Sequence, residues 1–148
     1  MAAAQIRPMN EADLDAVQEM ELRCFADPWS RRMLEAEVAR LPARQLLAEQ
    51  NGAIAGYVFL QHVLDEGEIT NIAVSPDFRR QGIGGELMRA AIAQAKEWEL
   101  RCLLLEVRES NRPAIALYER FGFLADGKRP GYYRHPKEDA VLMRLELR

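Results

Sequence analysis

The stretch AVSPDFRRQGIGGELM, residues 73–88, sets Arg79 and Arg80 just ahead of three glycines, Gly82, Gly84 and Gly85. From Gly82 onward, apolar residues recur at Ile83, Leu87, Ala91, Ile92 and Ala95, and that spacing predicts a helix to about Trp98. GEITNIAV, residues 67–74, reads as a strand before it, and RCLLLEV, residues 101–107, as a short buried strand after it. The glycines therefore lie where a strand ends and a helix begins. A strand, helix, strand unit of this kind nearly always crosses right-handed between parallel strands. Backbone N–H groups at a helix start have no intrahelical acceptor, and glycine lets an anion come close to them.

Several anion sites share this outline. A nucleoside triphosphate loop needs Gly-Lys-Ser/Thr after its glycines, and GIGGEL lacks it. A dinucleotide loop wants a third glycine where Leu87 stands, although Glu106 falls near the spacing of its ribose-binding acid. That fold also begins with its glycine unit, whereas an antiparallel hairpin precedes this one. A plain strand-to-helix turn with solvated arginines stays open on this segment alone.

Upstream, Asn10 is a cap for a helix to about Cys24, with Leu14, Val17, Leu22 and Phe25 at helical spacing. DPWS, residues 27–30, breaks it; Ser30 caps a second helix over about 31–40, which Pro42 ends. RQLLAEQ, the pair Asn51-Gly52 and AIAGYVFLQHV predict a hairpin, because Asn-Gly supplies the positive φ angles of a tight turn. A turn at Asp65 to Gly67 leads into the strand before the glycines. Downstream, NRPAIALYERFGF gives Asn111 as cap, Pro113 in the first turn and Gly122 as the stop. Two final strands, near Phe123 to Gly127 and Ala140 to Leu147, flank a loop KRPGYYRHPKED, residues 128–139. The class is α/β: antiparallel strands first, then a parallel step after the glycines.

At 148 residues, 49% hydrophobic and 29% charged, the chain has the size of one domain, 1–148, with a full core. Its apolar runs are too short to cross a bilayer, and MAAAQIRPMNEADLD turns acidic where a signal peptide would be apolar, so a soluble, cytoplasmic protein with no membrane partner is expected. Cys24 and Cys102 are far apart without Cys-x-x-Cys spacing, which predicts reduced thiols, Cys102 buried. A net charge of −3 argues against direct nucleic-acid binding and suits a positively charged substrate or peptide. His62 and His135 lack metal-ligand spacing and read as surface or strand residues; no metal site is expected. None of Ser30, Ser75 and Ser110 sits in a nucleophile elbow.

Arg-x-x-Gly-x-Gly, here RRQGIG, resembles the coenzyme A pyrophosphate loop of the GNAT acyltransferases, and the flanking elements follow that fold's order over nearly the whole chain. The resemblance implies a mixed central sheet of about six to seven strands flanked by about four helices, and acetyl-CoA as cosubstrate. It implies that TNIAV splays from its parallel neighbour, so that backbone groups of Ile72, Ala73 and Val74 bind the pantetheine arm. Arg79 adds charge, and the resemblance implies that Arg80, Gln81, Gly82, Ile83, Gly84 and Gly85 cradle the pyrophosphate. Gly85 departs from the family pattern, where a helix former is usual; it weakens the first turn by about 1 kcal/mol relative to alanine.

Acetyl transfer from a thioester to an amine needs a neutral amine, a polarised carbonyl and a proton for the leaving thiolate. An α-amine with pKa near 7.7 to 8.0 is roughly a quarter to a third neutral at pH 7.5, against about one in a thousand for lysine, so an N-terminal acceptor demands only modest base catalysis. Glu106 interrupts an apolar run, where burial favours proton acceptance, directly or through a water; an ion pair with Arg101 or Arg108 explains it as well. Tyr118 is protonated at neutral pH and is a candidate acid; read alone, such a residue is more often a core aromatic. LEVRESNRPAIALYERFGF resembles the family segment in which a strand glutamate, a coenzyme-contacting asparagine and a helix tyrosine occur together. That likeness implies Glu106 as proton acceptor, Asn111 as coenzyme contact as well as cap, and Tyr118 as proton donor. A backbone N–H of the NIAV strand is the expected oxyanion donor, with no covalent enzyme intermediate.

DPWS, VLDEGEITNIAV, the Glu-Val-Arg-x-Ser-Asn run and GYYRHPKEDAVLM further resemble one branch, the bacterial ribosomal-protein-alanine N-acetyltransferases. The likeness implies a partner: a small-subunit ribosomal protein with a basic N-terminus starting in alanine. Asp65, Glu66 and Glu68 on one side and Glu138 and Asp139 on the other could attract such a peptide, with Tyr132 and Tyr133 beside it; solvated turns explain the same acids. Trp29 packs helix on helix or lines the groove. A lysine or polyamine acceptor would keep the coenzyme site, and a non-catalytic coenzyme A sensor would need neither Glu106 nor Tyr118.

Overall fold

The computed structural model describes residues 4–40 and 43–148, so Pro42, expected to end the second helix, lies outside the described residues. The strands are β1 (Gln5–Pro8), β2 (Ala43–Gln50), β3 (Ala53–Val63), β4 (Glu66–Val74), β5 (Cys102–Arg108), β6 (Leu124–Arg134) and β7 (Lys137–Glu146). The helices are α1 (Leu14–Cys24), α2 (Arg31–Ala39), α3 (Ile83–Glu97) and α4 (Arg112–Arg120). All seven strands form one sheet in the order β1-β2-β3-β4-β5-β7-β6. Every neighbouring pair is antiparallel except β4 and β5. This is the GNAT arrangement implied by the sequence.

Local chemistry sets the ends of the elements. Asn10 forms a capping box with Asp13, and the Ser30 and Asn111 side chains accept N–H bonds from Met33 and Ala114. Asn51 and Gly52 take φ of 54° and 78°, the left-handed pair that a tight hairpin between β2 and β3 requires. Gly122, with φ of 97°, follows α4.

Alternation along the central strands feeds two cores, one on each face of the sheet. Tyr57 and Phe59 of β3 pack with Val17 of α1 and Leu34 of α2. Val58 and Leu60 pack with Leu87, Met88 and Ala91 of α3 and, through Leu103 and Phe123, with Tyr118 of α4. Helices α1 and α2 thus cover one face, and α3 and α4 the other.

The feature that positions the site is a split in the sheet. Phe59 pairs with Asn71 and Leu60 with Ile69, so Thr70 is an extra residue, a β-bulge. Parallel pairing of β4 with β5 stops at the same level, Ile69 opposite Leu105. Beyond it, β4 follows β3 to Val74 while β5 follows β7 to Arg108, and the two strands part.

Three details differ from the sequence reading. Gln5–Pro8 is a strand that the pattern did not announce, because its four residues are too few to show alternation. The turn before β4 is at Leu64 and Asp65, with Leu64 at φ 54°, and β4 already begins at Glu66. The expected 128–139 loop is mostly ladder: β6 runs to Arg134 and β7 starts at Lys137, with a register irregularity between Arg129 and Tyr133 that absorbs Pro130 and Gly131.

Candidate active site

Helix α3 is capped by Gly82, whose φ of 79° is left-handed, two residues after Arg80 at φ 65°. The first helical bond runs from the Glu86 N–H to the Gly82 carbonyl at 3.1 Å, leaving the N–H groups of Ile83, Gly84 and Gly85 without a helical acceptor. Ile83 is buried and anchors the turn, while Arg79, Arg80 and Gln81 are exposed. A Cβ on Gly84 would stand 3.2 Å from Leu117 Cδ2, so this glycine lets α3 approach α4. At Gly85 the nearest atoms to such a Cβ are the Arg89 guanidinium at 3.6 Å and Phe121 Cζ at 3.9 Å, ordinary contact distances.

Beside this turn lies the gap between β4 and β5. The Ser75 N–H donates to the Ala55 carbonyl at 2.8 Å, which makes that pair a hydrogen-bonded one. By alternation Ala73 bonds to Tyr57, and the backbone groups of Ile72 and Val74 turn toward the gap. The Val74 carbonyl already accepts from Arg79 Nε at 3.4 Å, and Cys24 Sγ lies 3.8 Å from it. Burial pushes the Cys24 thiol up, and both cysteines are free.

The gap opens into a cleft of about 330 Å³, lined by residues 69–72 of β4, 105–108 of β5, Asn111 ahead of α4 and Tyr118 within it, Glu21 of α1, residues 24–27 and Trp29, and Tyr133 of β6. Glu106 and Tyr118 thus face one space, with Asn111 at its edge. The ion pair expected for Glu106 is with neither Arg101 nor Arg108: Arg101 binds Asp65 and Glu66, and Arg108 binds Glu138 and the carbonyls of His135 and Pro136. Its partner is Arg129, Nε to Oε1 at 3.4 Å, while the buried Oε2 makes no hydrogen bond with the described residues. Tyr118 is 5% exposed, and burial, then the nearby Tyr133, push its phenol well above the usual range. Its ring also packs on Phe123, so it is a core aromatic whose edge reaches the cleft.

The walls hold further groups. Tyr132 and Tyr133 contact edge-to-face at 5.1 Å; the Arg108 guanidinium lies 4.3 Å from the Tyr133 ring centre. Burial raises both phenols, Tyr133 to about 12, and Glu106 adds to each. Trp29 both lines the cleft and packs against Phe59, ring centres 5.5 Å apart. Of the five acids expected to attract a basic peptide, Asp65 and Glu66 are held by Arg101, Glu138 by Arg108 and the Ser110 N–H, and Asp139 accepts the Gly131 N–H. Glu68 stays exposed on β4. His62 packs its ring at a tilt against Trp98, centres 4.7 Å apart, and does not line the cleft.

One residue of the cleft escaped sequence reasoning. Glu21, in α1, is fully buried, and its carboxylate accepts from the Trp29 N–H, the Asn71 side-chain amide and the Tyr57 hydroxyl. A lone acid between Met20 and Leu22 in a helical pattern reads as surface; the only available signal is that it falls one turn after the buried Val17.

A split sheet with an anion-cradling helix start beside it and a carboxylate and a phenol facing the gap defines a coenzyme A-dependent acyltransferase of the GNAT type. The chain belongs to that family: the acetyltransferase (GNAT) family profile matches residues 14–123. A Bacillus subtilis protein provisionally named [ribosomal protein bS18]-alanine N-acetyltransferase is 41% identical, covering 95% of this chain and 93% of its own. The [ribosomal protein bS18]-alanine N-acetyltransferase of Escherichia coli K12 is 38% identical over 96% of this chain and 97% of its own. The crystal structure of the ribosomal-protein-S18-alanine N-acetyltransferase from Escherichia coli superposes with a TM-score of 0.91 at 37% identity, covering 97% of this chain and 94% of that one. Ard1 from Thermoplasma volcanium, 24% identical with a TM-score of 0.93 over 99% of both chains, shares the fold.

The family uses acetyl-CoA, and the donor set here fits it. Unpaired N–H groups and two exposed arginines at the start of α3 suit a pyrophosphate, and the outward backbone groups of Ile72 and Val74 suit an amide-bearing arm. Among the described residues, no three His, Cys, Asp or Glu side chains converge as metal ligands, and no helix is long and apolar enough to cross a membrane.

Proposed function

We propose that this chain acetylates the N-terminal alanine amine of a small-subunit ribosomal protein, bS18 by analogy with its relatives, in the cytoplasm. The observation that carries the reading is the meeting of Glu106 and Tyr118 in one cleft where β4 and β5 part, beside the start of α3. When bound, acetyl-CoA supplies an acetyl group activated as a thioester.

Arg79, Arg80, Gln81 and the N–H groups of Ile83, Gly84 and Gly85 hold the pyrophosphate, with Gly82 setting the turn. Ile72 and Val74 offer the backbone groups that pair with the pantetheine arm, and Ala73 holds their strand in register with β3. Asn111 caps α4 and borders the arm. An outward N–H of β4 polarises the thioester carbonyl. Glu106 accepts the proton of the attacking amine, directly or through a water at its open Oε2. Tyr118 gives its proton to the departing sulfur; the burial that holds its phenol protonated suits a donor at neutral pH. Tyr133 and Trp29 shape the acceptor channel.

The test is acetylation of two short basic peptides, one beginning with a free alanine and one with a blocked N-terminus and the same lysines. Thiol release and product mass are followed with acetyl-CoA. Acetylation of the free N-terminus alone supports the reading. Modification of both peptides moves the acceptor to lysine, and of neither removes the peptide acceptor.

A further inference from the structure

Strand β6 loses register with β7 between Arg129 and Tyr133; Arg129, paired with Ala140 at the edge of that irregularity, brings its guanidinium to Glu106 at 3.4 Å. The partners differ in exposure. The Arg129 side chain is 57% exposed, the Glu106 side chain 19%. The Arg129 guanidinium also lies 5.9 Å from the centre of the Tyr132 ring. The other charged or titratable groups that line the cleft with Glu106 are Glu21, Cys24 and Asp27, Arg108 of β5, Tyr118 of α4 and Tyr133 of β6, and Tyr132 also lies beside Glu106. Arg108 is turned away onto Glu138 and two carbonyls. Among the described residues, Arg129 is thus the cation ion-paired with Glu106.

We propose that Arg129 is a specificity-determining residue for the acceptor amine: it neutralises Glu106 and competes with the acceptor's own ammonium for that carboxylate, so that the cleft does not trap the unreactive protonated form. This rests on the reading that Glu106 faces the acceptor amine. At pH 7 an N-terminal amine with pKa near 7.7 to 8.0 is mostly ammonium, which has no lone pair with which to attack. A half-buried carboxylate with no counter-ion would hold that form tightly. With Arg129 on Oε1 the charge is already met, while Oε2 stays open to accept a proton from the neutral amine. An exposed guanidinium is cheap to displace, so a cationic N-terminus still enters.

The test measures binding, in the presence of coenzyme A, of two peptides that differ only in a free or an acetylated N-terminal alanine. Wild type is compared with Arg129→Met, which keeps the stem and removes the charge, and Arg129→Lys, which keeps the charge. We expect the Met variant to bind the free-amine peptide about two- to fivefold more tightly, the range of an exposed ion pair. Its affinity for the acetylated peptide, which has no cation, should equal that of wild type, and the Lys variant should behave as wild type toward both. Equal changes for both peptides would make Arg129 a packing residue; no change, or a Lys variant that follows Met, also overturns the proposal. If wild type binds neither peptide, the acceptor reading falls and takes this one with it. If wild type acetylates the free N-terminus but the Met variant shows no selective gain, only this one falls.

Discussion

Asn71 donates its side-chain amide to Glu21 at 2.9 Å, tying the strand just past the Thr70 bulge to helix α1, 50 residues away in sequence. The same carboxylate takes the Trp29 N–H at 2.9 Å and the Tyr57 hydroxyl, so one buried acid fixes the connection between α1 and α2, the middle of β3 and the opening of β4. Burial first, then the charge of Glu21, push the Tyr57 phenol far above its usual range. Because all three partners are donors, an amide would set an NH₂ group against at least one of them. Glu21→Gln should therefore cost about 1–3 kcal/mol, read as a lower urea midpoint. It should also lower kcat/KM, since Trp29 and Asn71 line the cleft. A midpoint equal to that of wild type would deny the network a structural role.

Tyr118 offers a cleaner separation of chemistry from folding. Its ring sits in the core, and its hydroxyl makes no hydrogen bond with the described residues, so Tyr118→Phe keeps the packing and leaves no partner unpaired. Stability should stay within about 1 kcal/mol of wild type. Turnover should fall by about 10² or more if the phenol protonates the sulfur, with acetyl-CoA affinity retained. Single-turnover rates with equilibrium binding check this, and an unchanged rate removes Tyr118 as the acid.

Much of this layout was legible in the sequence because its signals are local. RRQGIGG opening an apolar helical face, Asn-Gly between two apolar runs, and Asn111 ahead of Pro113 each dictate backbone within a few residues, and the helices and hairpin fall there. Glu106 and Tyr118 could be named through the family likeness; their sharing a cleft depends on where β4 and β5 stop pairing. The choice of Arg129 over Arg101 or Arg108 as partner of Glu106 depends on how β6 registers on β7, which no local pattern announces. Glu21 was illegible for the same reason, since its three donors come from three other segments. Pro130 and Gly131 read as loop residues, yet the ladder simply skips them.

Gly85 is the departure from the family pattern that the structure makes testable. A Cβ there meets nothing closer than the Arg89 guanidinium at 3.6 Å, and that side chain is free to shift. Gly85→Ala should thus raise stability by about 0.5–1 kcal/mol through helix propensity, a Tm gain of about 2–4 °C. If the N–H of Gly85 receives a phosphate at close range, coenzyme A affinity should fall in the same variant. A gain in Tm with unchanged affinity would make the glycine merely tolerated, and a loss of Tm would show that the site is tighter than these distances allow.

The N-terminal strand is held by charge, which makes its contribution depend on pH. Arg7 donates to both oxygens of Asp13, at 2.8 and 2.9 Å, and through Nε to Glu49 at 2.7 Å, while Asp13 also takes the Asn10 N–H at 2.9 Å. One fork thus joins β1, the start of the first helix and β2. The Arg7 guanidinium, foremost, holds the Asp13 carboxyl below its usual range. A carboxyl lowered by folding gives its full stabilisation above its unfolded value, near 3.9, and loses it as pH falls through the folded value. Asp13→Asn keeps the shape and removes the charge, so its urea midpoint should lie below that of wild type at pH 7. The gap should narrow steadily as the pH is brought below about 4. Midpoints measured from pH 7 to pH 2.5 decide the matter: a gap that stays constant over that range would assign the contribution of Asp13 to its capping hydrogen bond, not to its pairing with Arg7.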